Sequence, residues 1–229
     1  MKPMSSNTKP THEKRFANTP HFPYELFMLA VSFLAYINIL LIFLLPKGHA
    51  LDVVVVVDQF IAVLFLIDFI RRFVAAKSKT IYFFKEYGWA DLLAAVPISI
   101  FNAFRVIRMF RFMRFARQEG FKKVLLDIRL QLANAMLYVV FFLILLLLEF
   151  GSMSILFVEG GAPGAVIKTA SDALWWVFVS ITTVGYGDMY PVTNGGRLIG
   201  AGTLAIGVIL YAVLTGYIVD TIISKRKIE

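Results

Sequence analysis

Four stretches of this chain, residues 24–45, 53–76, 136–158 and 198–223, are almost unbroken runs of Val, Leu, Ile, Phe and Ala. The hydrocarbon core of a bilayer takes roughly 20 residues of helix to cross, and each of these runs is long enough. Two weaker stretches lie between the second and third of them. Residues 89–101 carry Asp91 and Pro97, and residues 104–116 have arginines spaced through them. By hydropathy neither stands alone in lipid, so each needs protein partners. With 59% of 229 residues hydrophobic and a mean hydropathy of +0.76, the chain lies far outside the soluble globular range. The fold class expected is an all-α membrane protein of six spans. Cysteine is absent, which excludes disulfides and thiolate metal sites, and His12, His21 and His49 show no ligand spacing. The +8 formal charge does not point to nucleic acid, because the basic residues sit between apolar spans or inside one.

Basic residues also orient the spans. Lys2, Lys9, Lys14 and Arg15 precede the first. Arg71, Arg72, Lys77, Lys79 and Lys85 fall between the second and third, Lys122, Lys123 and Arg129 follow the fourth, and Lys225, Arg226 and Lys227 follow the sixth. The opposite loops carry little: Lys47 in one and Lys168 in another. The expectation is a multi-pass protein of the plasma (inner) membrane with both termini cytoplasmic. Residues 1–22 read as a polar tail rather than a signal peptide, and residues 225–229 as a short one.

Within the fourth stretch Arg105, Arg108, Arg111, Arg114 and Arg117 recur at every third position, with only apolar residues between them. A helix lying flat on the membrane would gather its charges on one face. A step of three residues in an α-helix turns about 300°, so five arginines spread over about 240° of the surface. In a 3₁₀-helix the same spacing would align them. Either geometry suits a rod that moves past fixed countercharges, and buried arginines need such partners. Asp58 and Asp68 in the second span and Asp91 in the third can supply them. Asp68 lies about 15 Å further along the helix than Asp58, and Phe65, three residues before Asp68, shares its face. One charge crossing the whole membrane field is worth about 2.3 kcal/mol per 100 mV, so about three charges in each of four copies give roughly 28 kcal/mol. Arginine–phosphate contacts with lipid are compatible with this arrangement.

Thr182-Thr183-Val184-Gly185-Tyr186-Gly187-Asp188 lies between the fifth and sixth spans. A potassium-selective pore replaces an ion's hydration shell with backbone carbonyls. Four copies of TVGYG are the known instance of such a filter, and the motif is recognised here by its likeness to that instance. Glycine supplies backbone angles that residues with a Cβ avoid. The preceding segment, 171–182, is too short to cross a bilayer and reads as a helix capped by Ser171 or Asp172. Its C-terminal dipole would face the motif and favour a cation. Pro191 and Gly195-Gly196 then break the chain before the last span.

Together these features resemble a six-span voltage-gated potassium channel of the compact prokaryotic type. The resemblance covers the chain from Tyr24 to Ser224. It implies a voltage-sensor domain at 23–117, an amphipathic linker helix at 118–134 and a pore domain at 135–224 with a re-entrant pore helix and selectivity filter. The assembly implied is a homotetramer. Thr183, Val184, Gly185, Tyr186 and Gly187 would form the filter, with K⁺ held at Thr183, Val184, Gly185 and Tyr186, and the Thr183 hydroxyl as a further ligand. Trp175 and Trp176 would form a cuff behind Tyr186 and Asp188, and Glu159 would brace the loop. The five arginines would be the sensing charges, Asp58, Asp68 and Asp91 their countercharges, and Phe65 the plug. Gly207 would be the gating hinge. Glu149, an acid inside the fifth span, is not explained by the resemblance. It is expected to pair with a sensor arginine or to bond the sixth span.

The function expected is passive, voltage-gated K⁺ conduction, with no enzyme activity, no cofactor beyond permeant K⁺ and no obligatory soluble partner. The ladder specifies sensitivity to voltage and not its sign, so a channel that opens on hyperpolarisation is the first alternative. A voltage-insensitive K⁺ channel or a K⁺-transporter subunit is the weaker one.

Overall fold

The structure is a computed structural model that describes residues 22–76, 78–85, 88–94 and 121–226. Among these residues it is all helical: α1 (Phe22–Leu44), α2 (His49–Ala75), α3 (Lys79–Lys85), α4 (Gly88–Ala94), α5 (Phe121–Glu159), α6 (Ala170–Ile181) and α7 (Asn194–Arg226). Four helices are long and apolar enough to cross a membrane, over Pro23–Leu44, His49–Ala75, Met136–Glu159 and Asn194–Ile223. These match the four long apolar runs. Of the two weaker stretches, the third is described only over α4, and the arginine-bearing fourth lies outside the described residues.

Local chemistry explains most of the boundaries. Pro46 disfavours helix at the residue before it, and α1 stops at Leu44. α2 begins after Gly48, with Asp52 in its first turn where the helix dipole favours an acid. The basic segment after α2 folds as the short helix α3. It is held by Tyr82, buried against Phe69 and Phe73 with ring centroids 6.3 Å apart in each case.

The linker helix and the fifth span form one continuous helix of 39 residues. The reason is local: no Gly or Pro lies between Phe121 and Phe150, and residues 130–137 (Leu-Gln-Leu-Ala-Asn-Ala-Met-Leu) are mostly strong helix formers. The part of α5 before Met136 extends about 20 Å beyond the apolar span.

One core joins the helices. Phe27, Val31 and Leu34 of α1, Val53, Val57, Ile61 and Phe65 of α2, and Leu145, Ile155 and Leu156 of α5 pack with Ala173, Trp176, Val177 and Ile181 of α6. The short helix α6 is thereby wedged between α5 and α7, and this fixes the position of the segment after it. Many large apolar side chains remain on the outside, including Phe43, Phe157 and Leu198. In water such a surface would be a liability, whereas in lipid it is the expected one.

Candidate functional site

The site starts at the two ends of α6. Thr169 is its N-cap: the Asp172 amide donates to Thr169 Oγ1 at 3.2 Å, while the Lys168 and Thr169 amides donate to Asp172 Oδ2 at 3.0 and 2.9 Å. The cap is therefore Thr169 and not Ser171 or Asp172. Thr-x-x-Asp closes a reciprocal capping box, a pattern legible in the sequence. Burial works against ionisation of the Asp172 carboxyl, but the backbone donors of Lys168 and Thr169 outweigh it and hold the group below the usual carboxylate range.

At the other end, the amides of Thr182, Thr183, Val184 and Gly185 donate to the carbonyls of Phe178, Ser180, Val179 and Val179, at 3.0 to 3.2 Å. The last carbonyls of a helix have no partner within it. Here the segment that follows satisfies them, and its own carbonyls are left free to turn elsewhere. Thr183, Gly185 and Gly187 have φ of 60, 57 and 78°, while Val184 and Tyr186 do not have positive φ. In an extended strand successive carbonyls alternate sides. Alternating the hand of successive residues instead turns them toward one side. Glycine adopts positive φ without penalty, which accounts for Gly185 and Gly187, whereas Thr183 bears a Cβ cost there. Val184 and Tyr186 remain more than half exposed in the single chain.

Behind this segment, the Trp175 ring stacks on Tyr186 (centroids 5.8 Å apart, planes at 8°), and its Nε1 donates to Asp188 Oδ2 at 2.8 Å. One side chain thus holds both members of the expected pair. Trp176 does something else. It is buried in the core, and a Cβ on Gly200 of α7 would lie 3.4 Å from its ring. The two tryptophans face different directions because adjacent helical positions differ by about 100°.

Glu159, at the end of α5 and fully buried, reaches the turn that follows. It accepts from the Val192 amide (2.9 Å), the Thr193 amide (2.9 Å) and Thr193 Oγ1 (2.6 Å). Thr193 in turn caps α7, since its Oγ1 accepts from the Gly196 amide at 2.9 Å. The Glu159 carboxylate occupies the place where a side chain on Gly196 would go. Gly207 of α7 lies against the C-terminal end of α6, and a Cβ there would collide with Ile181. Gly202 and Gly216 meet no neighbour.

On α2, Phe65 is fully buried, and Asp58 and Asp68 are nearly so. Asp68 is the centre of a network that the sequence did not reveal. Its Oδ1 accepts from Arg72 Nε at 2.9 Å, from Arg71 Nη2 at 3.4 Å and from the Tyr24 hydroxyl at 3.0 Å. Arg72 Nη2 also donates to Glu25 Oε2 at 2.6 Å, and Arg71 stacks over the Tyr24 ring at 4.0 Å. The i, i+3 and i, i+4 spacing of Arg71 and Arg72 from Asp68 was available as a signal. Their meeting with Tyr24 and Glu25 on α1 was not. The backbone of Asp91 belongs to α4. Arg105, Arg108, Arg111, Arg114 and Arg117 lie outside the described residues. Among the described residues no group of three or more His, Cys, Asp or Glu could hold a metal ion.

Residues 21–228 match the ion transport protein family over nearly the whole chain. The chain belongs to that family. Among its relatives, a voltage-gated potassium channel of Aeropyrum pernix is 39% identical over 79 residues, 34% of this chain and 27% of its own length. A potassium voltage-gated channel subfamily A member 2 of Oncorhynchus mykiss is 40% identical over 81 residues, 35% of this chain and 16% of the relative. The human subfamily A member 6 is 38% identical over 81 residues, 35% of this chain and 15% of the relative. The chain spans about a third or less of the length of the curated relatives it matches. This family member is therefore a multi-pass membrane protein related to voltage-gated potassium channels, and those relatives are channels and not enzymes.

Proposed function

We propose that this chain is the subunit of a homotetrameric voltage-gated potassium channel that conducts K⁺ passively. The observation that carries the reading is the 183–187 segment. Positive φ alternates along it, the amides of Thr183, Val184 and Gly185 are spent on the end of α6, and its face is exposed in a single chain. A row of carbonyls turned to one side is a cation ligand set with a quarter of its wall present, and four copies around an axis complete it. In this reading α6 is the pore helix, α5 and α7 are the outer and inner pore helices, and residues 183–187 are the filter. Trp175 and Glu159 hold the filter and the turn after it. The relatives' names and their match over about a third of the chain support K⁺ as the permeant ion.

Residues 23–117 form the voltage sensor, with the five arginines as its charges and Asp58, Phe65, Asp68 and Asp91 as the path they pass. Both termini lie in the cytoplasm and the membrane is the plasma membrane. Gly207 is the hinge of the inner helix, and its tight fit against Ile181 makes α6 the fulcrum.

The experiment is current from purified protein in planar bilayers, with K⁺ on one side and Na⁺ on the other, under voltage steps of both signs. A reversal potential near that of K⁺ alone with steeply voltage-dependent opening is the expected result. K⁺ selectivity without voltage dependence would leave the pore assignment and remove the sensor assignment. Absence of K⁺ selectivity would refute the reading.

A further inference from the structure

Deep in the bundle, where α1 packs on α5, lies a polar cluster that conduction and charge sensing leave unused. Tyr24 and Phe27 of α1 meet Tyr138 of α5, with ring centroids 5.9 and 5.7 Å apart, and Phe27 also meets Phe141 at 5.8 Å. About three turns further along both helices, or roughly 16 Å, the aromatic contact gives way to polar groups. There the Asn38 side chain lies alongside the Glu149 carboxyl, and Asp58 of α2 is within electrostatic reach. Ser152, one turn along from Glu149, shares its face of α5. Asn38, Glu149 and Ser152 are each 0% exposed. Both carboxylate oxygens of Glu149, both amide atoms of Asn38 and the Ser152 hydroxyl have no protein partner. Among the described residues Glu149 makes no hydrogen bond to α7, one of the two partners expected for it, while the other, a sensor arginine, lies outside the described residues.

Groups of this kind are hardly ever left unpaired in a folded protein, since each orphan costs a substantial desolvation penalty. A direct Asn38–Glu149 bond would satisfy one amide hydrogen and one oxygen and leave the other atoms without partners. Buried water, which takes two to four polar partners, can satisfy the rest. Plain adhesion between two lipid-embedded helices would be served as well by Leu at both positions. The polar trio therefore serves something that apolar packing does not.

We propose that Asn38, Glu149 and Ser152 bind water at a buried joint between α1 and α5, and that this hydrated joint transmits movement of the first spans to the outer pore helix. The role rests on the channel reading above. Hydrogen bonds through water re-form after small displacements, so such a joint keeps two helices engaged while they shift, whereas interlocked Leu side chains resist sliding. Its position next to Asp58 sets it beside one of the acids assigned to the arginine path. Glu149 and Asn38 act here as positioning residues and touch no permeant ion.

The test is a double-mutant cycle in the full tetrameric channel, with Asn38→Leu, Glu149→Leu and the pair, together with Glu149→Gln. Conductance–voltage and gating-charge–voltage curves are recorded in cell membranes. Each single Leu variant is expected to change the open–closed equilibrium on the order of tenfold at fixed voltage, with the charge curve nearly unmoved. The pair is expected to do no more than either single, and Glu149→Gln, which retains groups that bind water, to stay within about twofold of wild type. Additive effects, or equal displacement of both curves, would overturn the joint.

If wild-type protein shows no voltage-dependent current, the channel reading fails, and the thermal stability of the purified assembly still judges the joint. Each single Leu variant should then be less stable than wild type and the pair should recover most of the loss, because removing both partners leaves only the Ser152 hydroxyl as an orphan. If Glu149→Leu fails to assemble, the pair and Glu149→Gln carry the same decision. A pair as unstable as the worse single refutes the shared site.

Discussion

Glu159 offers the sharpest test of how the turn after the glycine-rich segment is held. Its carboxylate accepts from two backbone amides and one hydroxyl at 2.6 to 2.9 Å and is fully buried. Substituting Ala removes all three acceptor contacts. A hydrogen bond to a charged group contributes about 1.5–3 kcal/mol, and an orphaned buried donor costs about 1–3 kcal/mol. Val192 and Thr193 are half-buried, so water can reach part of the space, and the Thr193 hydroxyl can rotate. The net loss expected for Glu159→Ala is therefore about 3–5 kcal/mol, below the sum of three separate bonds. Glu159→Gln keeps one oxygen but turns an NH₂ toward a donor, and a loss of about 1–3 kcal/mol follows. Thr193→Val should lose less than either, since the two amide bonds survive. The measurement is thermal unfolding of the purified assembly by size-exclusion profile, paired with the rate at which current decays under maintained opening. The order Ala, Gln, Val from most to least damaging is expected in both. An Ala variant that matches wild type in both measurements would refute the claim that this carboxylate holds the turn.

Three further outcomes are expected. Gly185→Ala and Gly187→Ala place a Cβ at φ 57 and 78°, at a cost of about 1–2 kcal/mol per subunit, and should abolish or degrade K⁺ over Na⁺ selectivity in bilayer recordings. Asp188→Ala and Trp175→Phe each remove the 2.8 Å charge-assisted bond, so each should destabilise the conducting state by about 1–3 kcal/mol. The double variant should add little, as read by the rate of current loss. Gly207→Ala collides with Ile181 while Gly202→Ala meets nothing. The first should lose about 1–3 kcal/mol of stability by overpacking and the second should gain up to about 1 kcal/mol from helix propensity. Equal effects on thermal unfolding would remove the close-approach argument.

Legibility in the sequence followed the range of the interactions. The four long spans were readable because membrane thickness imposes a length on each run separately. Thr183 to Gly187 was readable because its chemistry resides in its own backbone, and neighbours in sequence supply the amides and carbonyls that shape it. The capping box at Thr169 and Asp172 is equally local, although the helix begins two residues earlier than a Ser171 cap implies. Trp175 and Trp176 read in sequence as one cuff. The helical turn between them sends one to Tyr186 and the other into the core against Gly200, and only the placement of α7 shows this.

What the sequence by itself determined is the inventory: all-helical spans, a glycine-rich segment after a short capped helix, and acids at fixed depths on α2. Each follows from periodicity, span length or backbone preference, which act within about one helical turn or one span. Which helices share a face was decided only in three dimensions. Asp68 meets Tyr24 across 44 residues of chain, Arg72 meets Glu25 across 47, Glu159 meets Thr193 across 34, and Asn38 comes to lie beside Glu149. Buried polar groups must find partners wherever packing brings them, and packing depends on the fit of whole helix faces and not on any local pattern.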